Sequence, residues 1–91
     1  MELSVIIPTK NRSRRIADLL DSLNLQEKVP FEWEVIVVDN DSSDDTKEAT
    51  EQKIKSLGIN IRYVLEKNFG LHSGRHRGAQ EARGKYLGYL D

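Results

Sequence analysis

The stretch EVIVVDNDSSDD, residues 34–45, decides the fold of this chain. Val35 to Val38 form a short run of branched apolar residues, which is typical of a strand buried on both faces of a sheet. The polar and acidic residues that follow can cap a helix and interact favourably with its N-terminus. The stretch therefore predicts a buried strand over 34–38 that leads through an acidic loop into a helix, which Gly58 ends.

The same succession of strand and helix recurs along the whole chain. Pro8 is predicted to stop the first apolar run, since proline has no N–H to donate to a neighbouring strand. The first helix is predicted because apolar side chains recur at i, i+3, i+4 and i+7 from Ile16. Strands are predicted over 3–7, 34–38, 59–65 and 86–90, and helices over 13–25, from the acidic loop to 57, and over 73–83.

This alternation predicts an α/β fold with four strands and three helices. Continuous apolar strands joined by helical crossovers indicate a mainly parallel sheet covered on both faces. In the last helix, Gly74, Gly78 and Ala82 follow one another at intervals of four residues. A stripe of such small side chains lets a helix approach its neighbour or a ligand closely, so we expect a packing reason for the glycines.

Composition excludes several classes of protein. The chain has 91 residues, enough for one domain, and its net charge of −1 lacks the basic footprint of a nucleic-acid-binding protein. Without cysteine it can form neither a disulfide nor a thiolate metal site. No apolar run reaches the roughly 18 residues of a membrane span. We expect a cytoplasmic protein whose full-length form can lie peripherally on a membrane.

The carboxyl ends of the strands are the expected place for a ligand. In open parallel sheets, ligands bind beyond these ends, near the point where the strand order reverses. The segments expected there are 8–12, 39–41, 66–68 and Asp91. Acids at this rim can hold a divalent cation or bond to a base or ribose, and basic residues can bind phosphates. Such a mixed rim suits a nucleoside diphosphate with a metal ion.

The acids of the rim have a competing interpretation. Asp41, Asp44 and Asp45 can simply cap or solvate the next helix, because helix N-termini favour acids. Asp39 differs from them, since it directly ends the most apolar strand and can place its carboxylate over the sheet edge. Motifs of other nucleotide-binding and hydrolytic folds, G-x-G-x-x-G, G-x-x-x-x-G-K-[ST] and G-x-S-x-G, do not occur.

Three blocks of the sequence resemble family 2 glycosyltransferases in order and spacing. They cover nearly the whole chain, and three blocks in register are a far more specific signal than any one. The blocks are residues 4–12 (SVIIPTKNR), residues 35–46 (VIVVDNDSSDDT), and residues 68–91, which contain NFG, GRHRG and ARGKYLGYLD.

The resemblance implies a GT-A fold, which is a Rossmann-like sheet that binds a sugar nucleotide, commonly linked to UDP. It implies that Pro8 and Thr9 line the base pocket, that Asp39 contacts the uracil or ribose, and that Arg75 lies near the nucleotide. Asp91 matches the first acid of a D-x-D motif, whose later acid binds Mg²⁺ or Mn²⁺ in the family, so Asp91 is also a candidate metal ligand. The predicted nucleotide-binding residues are Pro8, Thr9, Asn11, Asp39, Asp41, Arg75 and Asp91.

The chain also departs from the family pattern. His76 stands where the family usually has asparagine, and the second acid of D-x-D and the carboxylate base are not among the 91 residues. We therefore expect residues 1–91 to be the N-terminal nucleotide-binding portion of a truncated GT-A domain, without catalytic residues of its own. In the parent protein, the resemblance implies inverting transfer of the sugar to an acceptor hydroxyl on an unidentified glycan, lipid or protein. An uncovered strand 86–90 is expected to favour self-association.

Two other functions fit the same predicted sheet. A related nucleotidyltransferase normally has a glycine-rich loop after the first strand, whereas residues 10–15 are basic and contain no glycine. A non-catalytic interaction module with a receiver-like sheet would carry an acidic pair after the first strand, where this chain has Pro8, Thr9 and Lys10. Both alternatives are therefore ranked below the glycosyltransferase.

Overall fold

A computed structural model describes residues 1–26 and 28–90 and contains one parallel sheet. Its strands lie in the order β3-β2-β1-β4, and all pairings are parallel. The predicted α/β, Rossmann-like fold with four strands and three helices is confirmed. The elements are β1 (Leu3–Thr9), α1 (Ser13–Asn24), β2 (Trp33–Asp39), α2 (Thr46–Ser56), β3 (Ile61–Leu65), α3 (Leu71–Glu81) and β4 (Tyr86–Tyr89).

Helices cover both faces of the sheet, as the continuous apolar strands predict. On one face, Ile16 and Leu20 of α1 pack with the odd-numbered strand residues Val5, Ile7 and Val35, and Ile54 of α2 joins them. On the other face lie the even-numbered strand residues Ile6, Ile36 and Val38, against which α3 packs. The alternation of side chains along each strand thus divides the core into two layers.

Pro8 does not stop β1, which corrects the sequence-based prediction. The strand continues to Thr9, whose carbonyl accepts a 2.9 Å bond from the backbone N–H of Asn40, on the β2 side. The backbone N–H and carbonyl groups of even-numbered β1 residues point toward β4 instead, since the carbonyl of Ile6 accepts from the N–H of Leu90. Pro8 lies beyond Ile6, the last β1 residue paired with β4 among the described residues, so its missing N–H interrupts none of these pairings.

The last helix lies very close to β1, as its small side chains predict. A Cβ added to Gly78 would lie 2.3 Å from Cγ2 of Ile6, and one added to Gly74 would lie 3.2 Å from Cβ of Pro8. Both glycines are buried; a Cβ at position 78 would force α3 and β1 apart, whereas one at position 74 would need a shift of only a few tenths of an ångström. The unfavourable helix propensity of glycine is therefore offset by contact with the strand.

The helix and strand bounds differ from the predicted ones where distant residues decide them. Helix α3 ends at Glu81, not at 83, because the backbone N–H of Arg83 donates to the carboxylate of Glu34 and that of Gly84 to the hydroxyl of Ser4. Helix α2 begins only at Thr46, since the backbone N–H groups of residues 42–44 donate to the side chains of Asp39 and Asn11. Strand β3 begins at Ile61, where its pairing with β2 begins.

A buried carboxylate fastens the amino-terminal half of the sheet to α3. Glu34 is fully inaccessible and accepts bonds from Ser4 Oγ at 2.6 Å, the Arg83 N–H at 2.8 Å and Arg62 Nε at 3.0 Å. Burial alone would raise the pKa of Glu34, but these hydrogen bonds and the charge of Arg62 together hold it below its ordinary value. The carboxylate is therefore charged and hydrogen-bonded at both oxygens inside the protein.

Strand β4 is an edge of the sheet with exposed apolar side chains. Tyr86 is 61% exposed, and Leu87 and Tyr89 are each 43% exposed. No helix in the described residues is long and apolar enough to cross a membrane. The predicted self-association through β4 stays a prediction.

Candidate functional site: the rim at the strand carboxyl ends

A cavity of about 410 Å³ lies where the strand order reverses. The chain passes from β1 outward to β2 and β3, and then places β4 on the opposite side of β1. Beyond its pairing with β4, β1 contributes Ile7, Pro8 and Thr9 to the cavity wall. The described lining residues are Ile7, Pro8, Thr9, Lys10, Arg12, Arg15, Ile16, Leu19, Asn40, Phe69, Gly70 and Gly74.

Asp39 lies beside this cavity at the end of β2, in register with Thr9 of β1. Asp39 is only 2% exposed, and both of its carboxylate oxygens accept hydrogen bonds from other residues of the chain. Oδ1 accepts from the N–H and the hydroxyl of Ser42 at 3.0 and 2.5 Å, and Oδ2 accepts from the hydroxyl of Tyr63 at 2.6 Å. The carboxylate is thus fixed in one orientation before any ligand arrives.

The loops after β1 and β2 are bonded to each other. Asn11 Oδ1 accepts from the N–H of Ser43 at 2.7 Å and from that of Asp44 at 3.3 Å, and the Asn11 N–H donates to Ser42 Oγ at 2.8 Å. Asn11 and Asp41 have φ angles of 51° and 60°, in the left-handed region that asparagine and aspartate tolerate better than most residues. Strained backbone of this kind is concentrated at binding sites.

Asn40 connects the rim to the loop before α3. Its Nδ2 donates to the carbonyls of Glu66 and Asn68 at 2.8 and 2.6 Å, and its Oδ1 accepts from the N–H of Gly70 at 3.2 Å. The side chain replaces backbone pairing where β3 has ended and so gives the 66–70 loop a defined path. Because Asn40 also lines the cavity, this connection forms part of the cavity wall.

The charge of the cavity is positive. Lys10, Arg12 and Arg15 line it, and no acid is among its described lining residues. Lys10 Nζ lies 4.4 Å from the ring centroid of Phe69, an arrangement that attracts a cation to an aromatic face. Apolar walls with a basic rim suit a ligand that has both a flat organic part and an anionic part, and a nucleoside diphosphate has this chemistry.

The predicted site residues fall into three groups. Pro8 and Thr9 line the cavity. Asn11, Asp39 and Asp41 lie in or at the ends of the two bonded loops beside it. Arg75 is half-buried on α3 and is not among the described lining residues, and Asp91 lies outside the described residues.

A divalent metal was predicted through Asp91, so the described residues alone do not test it. Within residues 1–26 and 28–90, no group of three or more His, Cys, Asp or Glu side chains could hold a metal ion. Asp39 in particular directs both of its oxygens to Ser42 and Tyr63. The described part of the chain therefore supplies no metal centre by itself, and Mg²⁺ or Mn²⁺ stays a prediction.

Sequence reasoning missed two residues that shape the site. Tyr63 was predicted only to be part of a strand, although its hydroxyl donates to Asp39 on the neighbouring strand β2. Phe69 stands in the NFG of the third block but was assigned no role there, and the residue is 87% exposed at the cavity rim. An aromatic residue placed among polar loop residues is a weak signal, because its partners lie elsewhere in the chain.

Comparison with known proteins identifies relatives of this chain. Poly(ribitol-phosphate) beta-N-acetylglucosaminyltransferase TarS of Staphylococcus aureus is 32% identical over 91 residues, which are 100% of this chain and 16% of that protein. Chondroitin synthase of Escherichia coli is 36% identical over 91 residues, covering 98% of this chain and 13% of that protein. The chain thus spans less than a fifth of the length of these two relatives.

Solved structures agree with the sequence relatives. The crystal structure of S. aureus TarS 1-349 in complex with UDP matches with a TM-score of 0.87 and 32% identity, over 100% of this chain and 27% of that one. Mannosyltransferase PcManGT from Pyrobaculum calidifontis, in complex with GDP-Man and Mn²⁺, matches with a TM-score of 0.87 and 26% identity, over 94% of this chain and 26% of that one. The family model "Glycosyl transferase family 2" matches residues 4–91, and the chain therefore belongs to the family 2 glycosyltransferases.

Proposed function

We propose that this chain forms the nucleotide-binding part of an enzyme that transfers a sugar from a UDP-linked donor to an acceptor hydroxyl, with inversion at the sugar's anomeric carbon. One observation carries the proposal: a basic cavity at the strand-order reversal is lined by Thr9, whose partner in register on β2 is Asp39 with its fixed carboxylate. TarS, which shares this fold at a TM-score of 0.87, has been solved with UDP. Family membership favours sugar transfer over the nucleotidyltransferase and the non-catalytic module.

The base and the diphosphate of the nucleotide each have a counterpart in the described residues. The base lies between Thr9 and Asp39, whose carboxylate accepts the N3–H of uracil. Pro8 and Ile7 provide apolar contact for the ring. The diphosphate lies toward the basic side chains of the cavity, where two or more cations can neutralise its charge.

An NMR titration of the ¹⁵N-labelled chain with UDP tests the proposal. We expect the largest amide shifts at residues 8–12, 39–42 and 68–70. Shifts scattered over the outer face of α2, or an unchanged spectrum at millimolar UDP, would contradict the proposed site. GDP serves as the comparison ligand, because guanine presents a different pattern of donors and acceptors to the carboxylate.

Asp39→Asn is the informative variant for this site. The amide can accept from Ser42 through its oxygen and donate through its nitrogen to the hydroxyl of Tyr63, since a phenol can accept as well as donate. Its fold should therefore be retained while the charged acceptor is lost. We expect UDP affinity to fall about tenfold, because a hydrogen bond to a charged group contributes roughly 1.5–3 kcal/mol. Asp18→Asn on the exposed face of α1 is the matched control and should leave the affinity unchanged.

A further inference from the structure

We propose that Tyr63 is a positioning residue for nucleotide binding: it holds the Asp39 carboxylate so that one acceptor position, on Oδ2, remains for the ligand. This inference rests on the proposed nucleotide site. Tyr63 lies on β3, outside the cavity lining, and no family motif of the sequence includes it. Its role can only come from the contact of its hydroxyl with Asp39.

The hydrogen bonds of Asp39 show why one position remains. An ionised carboxylate has about four acceptor sites, two on each oxygen. The N–H and hydroxyl of Ser42 fill both sites of Oδ1, and the hydroxyl of Tyr63 fills one site of Oδ2. The fourth site is on Oδ2, and its direction depends on where Tyr63 places that oxygen. A ligand with a single N–H donor matches one acceptor site, whereas a pair of donors would need two.

The surroundings of Tyr63 keep its hydroxyl a donor. The residue is half-buried, and it pairs in register with Val37, two residues before Asp39 on the same face of β2. Burial, the hydrogen bond to Asp39, and the charges of Asp39, Glu51 and Glu48 all raise the pKa of the phenol. The hydroxyl therefore remains protonated at neutral pH and donates to the carboxylate.

The opposite oxygen of Asp39 is held by a relay from the first loop. The Asn11 N–H donates to Ser42 Oγ at 2.8 Å, and that hydroxyl donates to Oδ1 of Asp39. Tyr63 provides the only side-chain contact on Oδ2 among the described residues. Removing the phenol hydroxyl leaves the hydrogen bonds of Oδ1 in place and frees Oδ2. The substitution therefore changes the orientation of the acceptor oxygen without breaking the bonds between the loops.

Tyr63→Phe tests this role, with Tyr86→Phe on exposed β4 as the matched loss of a hydroxyl. UDP and CDP affinities are measured by calorimetry, and thermal unfolding is recorded for each variant. We expect Tyr63→Phe to weaken UDP about three- to tenfold, which corresponds to the loss of roughly one hydrogen bond. CDP should change little, because cytosine has no N3–H to donate, so the preference for UDP over CDP narrows. Tyr86→Phe should bind as the wild type does.

The outcomes separate this inference from the function on which it rests. A wild-type chain that binds no UDP overturns both. The role of Tyr63 alone is overturned if the wild-type chain binds UDP and Tyr63→Phe lowers thermal stability without changing the affinity for UDP or the preference for UDP over CDP. Should Tyr63→Phe fail to fold, ¹⁹F NMR of the wild-type chain with 3-fluorotyrosine decides: UDP should shift the Tyr63 signal and leave that of Tyr86 in place, and an unmoved Tyr63 signal rejects the proposal.

Discussion

Replacing Glu34 with glutamine removes the charge from a carboxylate that is fully inaccessible and accepts three hydrogen bonds. The isosteric amide has one acceptor oxygen, so at least one of the three donors must face an NH₂ group. The ion pair with Arg62 at 3.0 Å is lost in either orientation of the amide, and if the amide nitrogen faces Arg62, the Nε–H also loses its acceptor. If it faces Ser4 and Arg83, the Arg83 N–H loses its acceptor, although the hydroxyl of Ser4 can turn.

The expected loss of stability follows from these contacts. An unsatisfied buried donor costs about 1–3 kcal/mol, and breaking a buried ion pair costs about 3–5 kcal/mol. Because the side chain of Arg62 is 23% exposed and retains Glu81 at 3.6 Å, we expect the low end, about 3 kcal/mol. A domain of this size is stable by about 5–14 kcal/mol, so the melting temperature should fall by roughly 15 °C.

Urea unfolding, followed by the fluorescence of the single tryptophan, Trp33, measures this loss. Glu81→Gln is the control: its side chain is 35% exposed, it pairs with the same Arg62, and its loss should cost at most about 1 kcal/mol. If the unfolding free energy of Glu34→Gln is within about 0.5 kcal/mol of the wild-type value, the three hydrogen bonds to the carboxylate do not stabilise the fold as argued.

The same carboxylate predicts a pH dependence with a definite sign. The pKa of Glu34 is lowered in the folded protein from an ordinary value of 4.5, so its contribution is fully present above that value and is lost as the pH falls through the folded pKa. Glu34→Gln lacks this contribution. The difference in unfolding free energy between wild type and variant should therefore shrink in acid, and a difference that stays constant from about pH 7 to about pH 3 would contradict the assignment.

Two further predictions concern packing and association. Gly78→Ala should destabilise the chain by about 1–3 kcal/mol, because the added Cβ would lie 2.3 Å from a methyl group of Ile6. Gly58→Ala is the control: its Cβ would have no neighbour within 4 Å, so its unfolding free energy in the same urea assay should stay within about 0.5 kcal/mol of the wild type. Equal effects of the two substitutions would reject the close-packing argument. The chain should self-associate with rising concentration in analytical ultracentrifugation, and Leu87→Lys should reduce this by placing a charge on edge strand β4. A monomer at every concentration would exclude association through β4.

Local sequence patterns predicted the order of the elements because the signals are contained within each element. Branched apolar runs mark buried strands, and the spacing of Ile16, Leu20 and their neighbours marks the inner face of α1. The parallel sheet then follows from the helical crossovers. The small residues of α3 also predicted its contact with a neighbour, although not that this neighbour is Ile6.

Positions that depend on distant residues were not predictable in this way. Pro8 is compatible with β1 because, among the described residues, the pairing of β1 with β4 ends at Ile6, which the local sequence does not reveal. The end of α3 depends on Glu34, about fifty positions earlier in the chain. At the rim, Pro8 and Thr9 line the cavity, and their role in nucleotide binding stays a prediction. The contact of Tyr63 with Asp39 joins two strands and leaves no pattern in the sequence of either.

The bonds between Asn11 and residues 42–44 have a consequence for the entropy of binding. Ordering one residue of a flexible loop costs roughly 1–2 kcal/mol of backbone entropy. Here the loops after β1 and β2 already hold each other, through residues more than thirty positions apart in sequence, so folding of the sheet has met that cost. A nucleotide that enters the cavity meets a preorganised rim, and its contacts there count toward affinity without first having to order the chain.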